Sequence, residues 1–104
     1  MTKPTEEEIN KKIAEFMGFE EVQVFSHYMT GFSEYIGRVI TIDYLYTESL
    51  DTLVLVAETL NIPLMKISLN MRLNGDWICN FQDWQTEESS PSKALARAIY
   101  EAIK

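Results

Sequence analysis

The chain has 104 residues, a formal charge of −7, 46% apolar and 12% aromatic residues. That length suits one domain, residues 1–104, and the apolar and aromatic content excludes a disordered chain. An acidic balance repels phosphates and argues against nucleic acid as a partner.

The charge is uneven: residues 1–60 hold 11 acids and 4 bases, whereas residues 61–104 hold 5 of each. Only one histidine (His27) and one cysteine (Cys79) occur. A lone cysteine forms no internal disulfide, so nothing points to an oxidising compartment. The opening residues are too acidic and polar for a signal peptide, and no apolar run approaches the ~20 residues of a membrane span. The expected location is the cytoplasm, with no membrane partner.

The first element is a helix. Thr5 and Glu8 have capping-box spacing after Pro4. Glu6, Glu7 and Glu8 fall in the first turn, where the helix dipole favours negative charge. Ile9, Ile13, Phe16 and Met17 form one apolar stripe, and Gly18 closes the helix in a left-handed conformation.

Residues 20–34 carry a weak signal. Val22 and Val24 alternate with Glu21 and Gln23 as in a short strand, and residues 30–33 read as a loop. Residues 35–45 are β-branched and aromatic with apolar side chains on both faces, the pattern of an interior strand covered on both sides. A second helix follows, capped by Thr47 or Ser49, with Leu50, Leu53, Val54, Ala57 and Leu60 as its stripe. Leu55 and Val56 widen that stripe, so this helix is expected to be the most buried. Asn61 and Pro63 end it.

Met65, Ile67, Leu69, Met71 and Leu73 alternate strictly with polar residues, the clearest strand signal in the chain. Asn74-Gly75-Asp76 turns the chain back into a strand carrying Trp77, Cys79 and Phe81. A two-residue loop would pair Leu73 with Asp76 and set the two apolar rows on opposite faces. A three-residue loop would pair Leu73 with Trp77 and merge the rows, and it is favoured because a slip of one inverts every side chain. Residues 83–89 read as a polar loop. Ser90 caps the last helix, Pro91 takes its first position, and Leu95, Ala98, Ile99, Ala102 and Ile103 form its stripe. The expected fold is α+β: a layered sandwich of three helices on one small, mainly antiparallel sheet of three to four strands.

Three blocks carry a resemblance. Residues 13–18 read Ile-Ala-Glu-Phe-Met-Gly. Residues 46–51 read Tyr-Thr-Glu-Ser-Leu-Asp and are followed by Leu53-Val54 and Val56-Ala57-Glu58. Ser92-Lys93 with Ala98 opens the last helix. Together they resemble the phage ABA sandwich domain, a family of small phage and prophage proteins, with Leu50 where that family usually has tryptophan. The resemblance implies helices over a small antiparallel sheet, a phage or prophage origin and hence the cytoplasm of a bacterial host. It carries over no catalytic residues.

The residues themselves offer little chemistry. His27 has no nucleophile or orienting partner at a known spacing. Cys79, on the row of Trp77 and Phe81, reads as a small buried hydrophobe. No loop has metal-ligand periodicity and no glycine-rich phosphate loop occurs, so no metal or cofactor is expected. The candidate protein-binding residues are the acids Glu6, Glu7, Glu20 and Glu21, and the polar-flanked tryptophan of Asp83-Trp84-Gln85, a residue type common at interface hot spots. Each also has an ordinary explanation: helix-start or solvated acids, and a Trp84 folded over a sheet edge. The expected function is non-enzymatic binding of a host or phage protein, inhibition of a host factor being one form. Two other readings remain open. A dimerisation module predicts self-association, and a small carboxylate-using enzyme predicts a deep pocket with two close acids.

Overall fold

The computed structural model describes residues 4–60, 67–81 and 84–103. Helix α1 (Glu6–Phe16) begins where the capping box sets it, with the Glu8 N–H donating to Thr5 Oγ1 at 3.1 Å. Gly18, at φ +102°, turns the chain out of the helix in the left-handed region. Strands β1 (Phe19–Val24), β2 (Met29–Ser33) and β3 (Arg38–Ile42) then form an antiparallel meander, the N-terminal sheet. A 3-10 turn (Tyr46–Glu48) leads into helix α2 (Leu50–Thr59). Strands β4 (Ile67–Met71), β5 (Trp77–Phe81) and β6 (Trp84–Glu88) form a second antiparallel meander, the C-terminal sheet, and helix α3 (Pro91–Ile103) closes the fold. As expected, Pro91 opens α3, and Ser90 Oγ accepts the Lys93 N–H at 3.2 Å.

The α+β class stands, but the strands divide into two three-stranded sheets instead of one of three to four. Two segments read as loops supply the difference. Residues 30–33 belong to β2, the central strand of the N-terminal sheet. Gly31 looks like a loop residue, yet it serves close packing: a Cβ there would sit 3.1 Å from Phe19 Cβ. Residues 84–88 are β6, held by pairing with β5 and by buried Thr86, whose hydroxyl donates to the Ala94 carbonyl at 2.6 Å. Asp83 lies outside the described residues, as do Met65 and the helix-ending Asn61 and Pro63.

Other expectations change in detail. Residues 35–45 are not one interior strand. Residues 34–37 form the β2–β3 turn, closed by the Gly37 N–H donating to the Ser33 carbonyl at 2.6 Å, and β3 is an edge strand with Val39 exposed. In the β4–β5 hairpin Met71 lies opposite Trp77, so the apolar rows merge on one face as favoured. The turn nevertheless falls one residue earlier than expected. The Arg72 N–H donates to the Asp76 carbonyl, and Leu73 stands fully exposed in the loop.

The most buried helix is α3, with six buried residues against three in α2 (Leu53, Val56, Ala57), where Leu55 faces solvent. The reason is position. α3 lies across β5 and β6 and also packs against α1, α2 and the 3-10 turn, and its alanines permit that close approach. The N-terminal sheet leans on the rest mainly through β1 against α1. Helices thus occupy the middle of an elongated molecule of 45 × 28 × 27 Å, with a sheet on either side. One apolar cluster joins both sheets and all three helices, with Ile13, Leu53, Phe81 and Ile99 fully buried.

A buried polar knot ties the helices to the 3-10 turn. Thr47 donates its N–H to Asn10 Oδ1 at 3.1 Å and accepts from Asn10 Nδ2 on Oγ1 at 3.0 Å. Its carbonyl accepts from Ser92 Oγ at 2.8 Å. Asn10 Nδ2 also donates to the Glu6 carbonyl at 2.8 Å.

Candidate protein-binding surface

The candidate residues fall in three separate places. Glu6 and Glu7 sit at the start of α1, an eleven-residue helix roughly 16 Å long, whereas Glu20 and Glu21 lie in β1 beyond its other end. Trp84 begins β6 opposite Phe81 in the other sheet and is 39% exposed. It neither folds fully into the core nor joins the acids.

Glu6 borders a cavity of about 140 Å³ lined by Pro4, Ile9, Thr47, Glu88 and Lys93. The carboxylate enzyme reading needs two close acids in a deep pocket. Here each acid is held by a cation: Glu6 by Lys93 at 3.3 Å and Glu88 by Arg97 at 3.1 Å. His27 is exposed in the β1–β2 turn with Nδ1 3.9 Å from Glu48 Oε2. Cys79 is fully buried among apolar side chains, and burial pushes its thiol up to about 11, against the thiolate a nucleophile needs.

The N-terminal sheet does gather something. Glu20 lies opposite Phe32 and Gln23 opposite Thr30, leaving two residues, Glu21 and Val22, across from Gly31. This is a β-bulge, with Glu21 at φ +52°. It turns Val22 into the core and leaves Glu20 on the outer face. Phe32 in turn lies opposite Val39. Because directly paired residues share a face, Glu20, Phe32 and Val39 form one cross-strand row. Phe32 is partly covered, and Val39 is 60% exposed.

Glu34, two residues beyond Phe32, meets Glu20. Its charge is the main cause that raises the Glu20 carboxyl above its ordinary value, with partial desolvation and a hydrogen bond between the two adding to the rise. Among the described residues neither acid has a basic partner within salt-bridge distance. Tyr35, in the adjoining turn, is almost completely exposed. At the opposite end of β1 and β2, Phe25 and Tyr28 stack with ring centroids 4.7 Å apart, and both are partly exposed.

Sequence reading identified Glu20 and missed Phe32, Glu34 and Val39. The usable signal is the alternation of residues 30–34 across Gly31, which the glycine obscures because it has the composition of a turn but is needed for packing against Phe19. Comparison with protein-family models, with curated proteins and with solved structures finds no match to this chain.

Proposed function

We propose that this protein acts by non-enzymatic binding of another protein, through the outer face of the N-terminal sheet. The observation that carries the reading is the row Glu20–Phe32–Val39, an apolar centre beside two carboxylates that have no cationic partner among the described residues, open to solvent on one side of a thin sheet. Apolar contact at the centre with charged groups at the margin is the usual anatomy of a binding patch. The ordinary catalytic side chains support the same reading by their positions, since His27 is exposed on a turn and Cys79 is sealed in the core. The resemblance to the phage ABA sandwich domain favours a host or phage protein as partner in the bacterial cytoplasm. Inhibition of a host factor is one form this would take.

The test is capture from bacterial lysate by the immobilised full chain, in parallel with a Val39→Asp variant. The reading expects a stoichiometric protein that the variant loses. Recovery of no protein, or equal recovery by both, overturns it. Self-association is a second reading, favoured by β3 as the regular edge of its sheet, and light scattering distinguishes a dimer from a monomer.

A further inference from the structure

We infer that β3 is a strand-addition site, and that its occupant is an extended segment of a partner protein bearing an apolar and a basic side chain on one face. The inference rests on the protein-binding reading and specifies how that surface is used.

The two edges of the N-terminal sheet differ. β1 is bulged at Glu21–Val22, which interrupts its ladder and sets an acidic residue in the irregularity. Bulges and edge charges are standard devices against further pairing. β3 lacks both along most of its length. Its five residues pair with β2 in unbroken register, and after Arg38 they read Val-Ile-Thr-Ile. Among the described residues β3 pairs only with β2. It therefore presents a regular, β-branched edge whose outward backbone groups are available to another strand.

Charge and register identify the occupant. An antiparallel strand added beside β3 continues the outer face, placing its side chains next to Thr41, then Val39, then the turn. The residue beside Val39 meets a 60% exposed apolar side chain and is best apolar. The next outer-face residue approaches Glu34, two strand spacings away, about 10 Å. A lysine or arginine and a glutamate together span that gap. The excess negative charge of the chain lies within residues 1–60, which contain this whole sheet. A second copy would bring the same Glu20 and Glu34 and the same excess of acid, so charge favours a basic segment over self-pairing.

The test is an amide NMR titration of the labelled full chain with the blocked peptide Ser-Thr-Ser-Val-Thr-Lys-Thr-Lys-Ser. Controls are the same peptide with glutamate for lysine, and one N-methylated at alternate residues. The inference expects shifts centred on residues 37–42, slowed exchange of β3 amides and no response to either control. It expects roughly two- to fivefold weaker binding at low salt by the Glu20→Gln/Glu34→Gln protein, as suits the loss of one exposed charge pair with Glu34 and of the weaker field of Glu20, three strand spacings away on β1. Absence of shifts at millimolar peptide, shifts centred elsewhere, or equal binding of the glutamate peptide overturns it. Concentration-dependent dimers with β3 amides protected before any peptide is added also overturn it, in favour of a second copy. If a captured partner protects residues other than 37–42, strand addition fails while the protein-binding reading stands.

Discussion

Replacing Asn10 with alanine tests whether the buried polar knot holds the helices to the 3-10 turn. Asn10 and Thr47 are essentially inaccessible, at 0% and 1% exposure, so water cannot replace what is lost without opening the structure. The substitution removes three hydrogen bonds, to the Glu6 carbonyl, to Thr47 Oγ1 and from the Thr47 N–H. A net hydrogen bond contributes about 1 kcal/mol, and a buried N–H left without an acceptor costs about 1–3 kcal/mol. These terms overlap, and a destabilisation of about 3–4 kcal/mol follows. For a domain of this size that lowers Tm by roughly 15 °C. Urea unfolding should show a lower midpoint with an unchanged slope. Ser92→Ala breaks the bond to the Thr47 carbonyl, so the double variant should be non-additive by at least about 0.5 kcal/mol. A loss below about 1 kcal/mol for Asn10→Ala, or strict additivity with Ser92→Ala, refutes the knot as a unit.

Three further outcomes follow from the packing and the titrating groups. Gly31→Ala puts a Cβ 3.1 Å from Phe19 Cβ, and thermal unfolding should show a loss of about 1–2 kcal/mol. Cys79 should resist thiol reagents in the native protein and react at once in urea. Burial raises its pKa from about 9 to about 11, so the folded state keeps a proton that the unfolded chain releases. Its contribution is complete below pH 9 and fades towards pH 11, by about 2–3 kcal/mol, and Cys79→Ala should flatten that decline in pH-dependent denaturation. Glu20 is also raised, chiefly by Glu34, so its charged form is disfavoured in the fold. Stability from this group is present at low pH and lost as pH rises through its folded value. Glu20→Gln should therefore be the more stable protein at pH 7, with the difference vanishing near pH 3. An unchanged gap across that range would show that the two carboxylates do not meet in solution.

The helices were legible because each has a local cause. Thr5 and Glu8, Ser90 and Pro91, and the apolar stripes act within a turn or two of chain. The merged apolar face of β4 and β5 was legible for the same reason, since alternation with period two admits only registers of one parity. Residues 30–33 and 84–88 were not. Neither has the composition of a strand, and each becomes one because a partner strand supplies its hydrogen bonds. For the candidate surface, Glu20 was visible as an acid, but its neighbours Phe32, Glu34 and Val39 come from other strands.

By itself, the amino-acid order determined an α+β chain with three helices, an acidic N-terminal half and a core large enough to fold, because propensity, capping and periodicity are local. Tertiary structure alone decided that the strands make two sheets around a helical centre, and that two glutamates meet on the sheet face that also exposes Val39. The physical reason is that strand pairing joins residues distant in sequence: backbone hydrogen bonds accept almost any side chain, and which faces align depends on a bulge and a glycine whose roles appear only when their partners are in place.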